Sequence, residues 1–116
     1  MTEKMKKIYE CIISGYKLTT QNLYQMGLSD KDIAELIKSD EIELVKQNEF
    51  NLKSLDRFFE YGESFRFSRQ YQKARKVYLK CYEIDPTYSK VYFQLFMKSI
   101  FDSSKKQMIE YFDKLY

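Results

Sequence analysis

The chain has 116 residues, 44% of them hydrophobic and 32% charged, with a net charge of +3. It has no His, two widely separated Cys and no Gly-rich phosphate loop, which argues against acid–base, zinc and phosphoryl-transfer chemistry. Only 3 Gly and 1 Pro favour a mainly α chain, and no run of about 18 apolar residues is present to cross a membrane.

The N-terminal Met1-Thr2-Glu3-Lys4-Met5-Lys6-Lys7 lacks a long apolar core and a small-residue cleavage site, so no secretory signal is expected and the cytoplasm is the expected location. Lys4 to Tyr16 reads as a first helix with Met5, Ile8, Tyr9, Ile12 and Ile13 on one side. Thr19 or Thr20 caps a short second helix that runs to Met26 and stops at Gly27. Ser29 and Asp32 have the spacing of a capping box for a third helix, Asp30 to Ser39, with Ile33, Leu36 and Ile37 turned inward. After Asp40 the apolar period becomes two, at Ile42, Leu44, Phe50 and Leu52. Lys46-Gln47-Asn48-Glu49 is the polar tip of that hairpin.

Three helices and a two-stranded ribbon are the layout of a winged helix. On Leu23, Gly27, Ile33, Leu36, Ile37, Ile42 and Phe50-x-Leu52, the stretch from Leu18 to Leu52 resembles the winged-helix domain of abortive-infection-type antitoxins. That resemblance implies DNA binding, with Lys31, Lys38 and Lys46 as the residues that would meet phosphate. The charge pattern opposes it. Around the third helix Asp30, Asp32, Glu35, Asp40 and Glu41 face only Lys31 and Lys38. Residues 1–54 hold eight basic and nine acidic side chains, net −1, whereas residues 55–116 hold twelve and eight, net +4. Phosphate attraction supplies most non-specific affinity for DNA. The alternative is that residues 1–53 form a small domain that covers the open end of the C-terminal helices.

Ser54 can cap a fourth helix over Leu55 to Arg69, with Leu55, Phe58, Phe59, Tyr61, Phe65 and Phe67 as its apolar residues. Gln72 to Ile84 is the fifth, with Ala74, Val77, Tyr78, Cys81 and Ile84 in one stripe. Gly62 and Ala74 are small enough to let the two helices cross closely. Pro86 ends the fifth helix, and Asp85-Pro86-Thr87 turns the chain. Around Gly62, the positions of Phe58, Tyr61, Phe65, Ala74, Tyr78, Cys81 and Pro86 resemble a tetratricopeptide repeat, a pair of antiparallel helices that stacks on its neighbours. A shift of thirty-four residues carries Phe58 to Tyr92, Tyr61 to Leu95, Tyr78 to Phe112 and Cys81 to Leu115, but Gly62 to Phe96, Phe65 to Ser99 and Ala74 to Met108. A second, degenerate unit is therefore expected over Ser89 to Phe101 and Ser104 to Tyr116, giving a repeat region of residues 54–116. Such arrays normally need about three units. The first 53 residues are accordingly expected to supply the missing cover, with both halves unfolding together.

The resemblance implies a surface for protein partners rather than a catalytic site. Two clusters are candidates. Arg66, Arg69, Lys73, Arg75, Lys76 and Lys80 surround Gln70-Tyr71-Gln72, either as an anion patch for an acidic peptide or nucleic-acid phosphate, with Phe67 and Tyr71 for stacking, or as a solvated face with those aromatics turned inward. Phe93, Phe96 and Lys98 lie in the aromatic last third, which is either core or interface. The expected function is a non-enzymatic interaction module that docks a peptide, a helix or a second copy of the chain. No cofactor or metal is expected, and DNA binding through the first domain is the alternative. Cys11 and Cys81 read as buried free thiols, with a disulfide between them as the other option. The low Gly and Ala content with abundant Lys, Ile, Tyr and Asn suits an AT-rich bacterium or phage.

Overall fold

In the computed structural model, which describes residues 2–101 and the side chains through Leu95, the chain is mainly helical with one small antiparallel sheet. It divides after Leu55 into two compact units.

The first unit is built from capped helices. α1 (Glu3–Ile13) starts at Thr2, whose Oγ1 accepts from the Met5 N–H at 3.2 Å. α2 (Thr20–Gln25) starts at Thr19, whose hydroxyl oxygen accepts from the Asn22 N–H at 3.1 Å. α3 (Asp30–Lys38) starts with the reciprocal Ser29–Asp32 capping box. Each helix stops in the same way, with a residue in the left-handed region just past its cap: Gly15 (φ 89), Gly27 (φ 91) and Asp40 (φ 58). The following N–H then reaches back five residues, Tyr16 to the Cys11 carbonyl, Leu28 to Leu23 and Glu41 to Leu36, at 3.0–3.2 Å. This stop ends α1 at Ile13, before the expected Tyr16.

β1 (Ile42–Lys46) pairs antiparallel with β2 (Glu49–Leu52), Leu44 opposite Phe50, with a bulge between Leu44 and Lys46. Residues 18–20 lie along the other edge of β2. The Phe50 N–H donates to the Leu18 carbonyl at 2.8 Å and the Thr20 N–H to the Asn48 carbonyl at 3.0 Å. Ile8, Leu23, Ile33, Leu36, Ile42 and Phe50 form the core. Two residues expected inside are outside. Ile37 is exposed because Ile33 and Leu36 already fill the buried side of a short helix. Leu44 is 58% exposed because burial on β1 is confined to Ile42, at its base.

The second unit opens with α4 (Leu55–Phe67) and α5 (Tyr71–Ile84), joined by three residues into an antiparallel pair. Gly62 is the crossing point. A Cβ there would lie 2.8 Å from Val77 Cγ1 and 3.0 Å from Tyr78 Cε1, so nothing larger fits without movement. Phe58, Tyr61, Ala74, Val77, Tyr78 and Cys81 are buried around this contact. α6 (Lys90–Phe101) packs on α5 with Val91 and Leu95 inward. Its entry is tied to the start of α4, where Asp56 accepts from the Tyr88 hydroxyl at 2.6 Å and from Lys90 Nζ at 3.1 Å. Ile84 and Phe67, expected in the inner stripes, are exposed. Ile84 is the last residue of α5, and Phe67 is two residues from Phe65 and therefore on the opposite side of α4. Both cysteines are buried free thiols, and burial pushes Cys81 up to about 12. The second helix of the degenerate repeat, from Ser104 on, lies outside the described residues. No helix among the described residues is long and apolar enough to cross a membrane.

Candidate interaction surface

The α4–α5 elbow gathers the features of a binding surface. α4 ends as the helices of the first unit do, with the Gln70 N–H reaching the Phe65 carbonyl at 2.8 Å and the Arg69 N–H reaching the Arg66 carbonyl at 3.0 Å. The residue in the left-handed region is here Arg69, at φ 63, which carries a Cβ and hence a conformational cost that glycine would avoid. Side chains secure the turn. Ser68 Oγ donates to the Phe65 carbonyl at 3.1 Å and accepts from Gln70 Nε2 at 2.9 Å. The reversal brings Lys73 back over α4, with Nζ 5.3 Å from the Phe65 ring centre, and Phe65 packs edge-on against Tyr61 at 4.7 Å.

Arg66 has a different role from its neighbours. Its Nε and Nη2 bond Glu63 Oε2 at 2.7 and 2.6 Å, and its guanidinium lies 4.5 Å over the Phe67 ring. The Glu63 carboxylate holds the Arg66 pKa above its ordinary value. Beneath this pair, Glu63 Oε1 and the Tyr78 hydroxyl are buried without a hydrogen-bond partner, and burial raises the Tyr78 pKa well above that of a free phenol. Arg66 therefore neutralises a partly buried carboxylate and supports Phe67, which is 74% exposed. Arg69, Lys73 and Tyr71 are also exposed.

Of the residues expected to bind partners, Arg66, Arg69 and Lys73 thus all lie at the α4–α5 elbow, Arg66 over the Phe67 ring and Lys73 by the Phe65 ring on the other side of α4. Phe93 is 62% exposed on α6, opposite in direction to the buried Val91 and Leu95. The side chains of Phe96 and Lys98 lie outside the described residues. Lys31, Lys38 and Lys46 are all exposed, but Lys46 sits 3.9 Å from Glu49. The acids of α3 are engaged within the first unit: Asp30 accepts from the Tyr24 hydroxyl, and Asp32 and Glu35 both pair with Lys4. Those contacts hold Asp32 and Glu35 below their ordinary pKa values, Asp32 first through the Ser29 N–H and Glu35 first through Lys4.

Phe67 is the elbow residue whose placement the apolar stripe misjudges, and the signal was present. The α4 stripe runs Phe58, Tyr61, Gly62, Phe65, and Phe67 falls off it by more than a quarter turn. The elbow offers cations, an exposed ring and hydrogen-bonding Ser and Gln side chains, a set suited to holding an anionic or aromatic group. Among the described residues no cluster of His, Cys, Asp or Glu is placed to hold a metal ion. Compared with protein-family models, curated proteins and solved structures, the chain matches none.

Proposed function

We propose that the protein is a non-enzymatic interaction module: a winged-helix-like domain followed by tetratricopeptide-like helix pairs, the second unit docking a protein segment at the α4–α5 elbow. The observation that carries this reading is Phe67, a large ring 74% exposed at the end of α4, with the Arg66 guanidinium over one face and a hydrogen-bonded turn directly after it. An exposed aromatic gives contact area at little entropic cost, and Arg and aromatic residues dominate the energetics of interfaces. The Gly62 crossing supports the repeat-like pairing, since a small residue at that position is what lets two helices of a repeat approach.

The test is affinity capture with the full chain and with a triple variant, Phe67→Ala, Arg69→Glu and Lys73→Glu, compared by quantitative mass spectrometry. Partners retained by the wild type and lost by the variant are the expected outcome. Light scattering on both proteins identifies a second copy of the chain as the partner. Identical retained sets and identical masses would remove the elbow from consideration.

A further inference from the structure

We infer that the segment held at the elbow is an acidic peptide carrying an apolar side chain, an inference that rests on the docking reading above. The stretch from Arg66 to Lys80 runs fifteen residues without a carboxylate and holds six basic residues. Those at its two ends are matched from outside it, Arg66 by Glu63 and Lys80 by Glu83 at 2.9 Å. Arg69, Lys73 and Lys76 lie between them, all exposed. Arg69 presents a planar fork that suits a carboxylate, and Lys73 is set beside the Phe65 ring. The residues of the elbow thus supply positive charge next to an apolar ring. The complement is a carboxylate next to an apolar side chain.

Single-stranded nucleic acid is the competing occupant of a basic and aromatic surface. Two observations favour the peptide. One face of Phe67 is already covered by Arg66, which reduces the ring's use as a stacking platform. The charge is also local. The chain carries only +3 overall, whereas nucleic-acid affinity rises with the number of phosphates neutralised.

The experiment is fluorescence anisotropy on the full chain with three labelled probes: a synthetic peptide of Glu, Asp and Phe, its counterpart with Gln and Asn replacing the acids, and oligo(dT). The acidic peptide is expected to bind, to weaken with salt, and to bind roughly tenfold more tightly than the amide counterpart. Arg69→Glu with Lys73→Glu should abolish that difference. Arg69→Gly should weaken acidic-peptide binding while easing the backbone, which separates lost charge from lost folding. Equal binding of the two peptides, unaffected by either variant, overturns the acidic assignment and leaves docking at Phe67 standing. Tighter binding of oligo(dT) than of the acidic peptide overturns it in favour of nucleic acid. If no probe binds and the capture experiment finds no elbow-dependent partner, the docking reading itself fails.

Discussion

At the scale of single residues, Arg69 and Arg66 do opposite things. Arg69 holds a backbone conformation that costs an L-residue energy, at a position where α1 and α2 use glycine. A strained residue kept at an exposed turn points to use of its side chain. Arg69→Gly is expected to raise stability by about 0.5–1 kcal/mol, measured by urea unfolding, while reducing partner binding. A destabilised Arg69→Gly protein would mean that the guanidinium contributes to the fold itself. Arg66 instead serves the fold. Removing it leaves the largely buried Glu63 carboxylate without its cation, so Arg66→Met should cost about 1–3 kcal/mol. Adding Glu63→Met should recover most of that loss, because an apolar pair leaves no charge unmatched. A double variant no more stable than Arg66→Met would contradict this account.

At the scale of elements, the helix pair depends on one missing side chain. Val77 and Tyr78 occupy the space that a Cβ on Gly62 would need, and both are fully buried, so neither can swing away. Gly62→Ala therefore gains helix propensity but forces α4 and α5 apart, with a net cost of about 1–3 kcal/mol. Circular dichroism with chemical denaturation measures it, and a stabilised variant would show that the crossing is looser than its geometry. The caps were legible in the sequence because they are local: Thr19, the Ser29–Asp32 box and Gly27 act within four residues of themselves. The pairing of residues 18–20 with β2 was not legible. It joins Leu18 to Phe50 across two helices and a hairpin, and no periodicity spans that distance.

At the scale of the whole molecule, acid should loosen both units. Asp32 and Glu35 in the first unit and Asp56 in the second have lowered pKa values, Asp56 through the Tyr88 hydroxyl and Lys90. A carboxylate whose folded pKa is depressed contributes stability above its unfolded value and loses it as pH falls through the folded one. From about pH 4.5 downward, the melting temperature should therefore drop, followed by scanning calorimetry across pH. A flat profile there would show that these exposed pairs contribute nothing, a common result for surface ion pairs. The boundary between the units falls at the first residues of α4, with no linker sequence between them. One calorimetric transition is accordingly expected. Two separated transitions would identify independently folding units.

The helical character, the helix starts to within a residue and the small-residue crossing at Gly62 can all be read along the chain. Each follows from a side chain's own geometry or from spacing along one helix. Which of the remaining apolar residues stay outside depends on how the elements pack. Ile37, Leu44, Phe67 and Ile84 are as hydrophobic as their neighbours, but burial requires a second surface to pack against, and at those four positions the described fold leaves the side chain exposed. The elbow has the same origin. Arg66, Phe67, Arg69 and Lys73 are a run of mixed residues until the chain reverses; Arg66 lies over its own neighbour Phe67 within α4, but only the reversal sets Lys73 on Phe65.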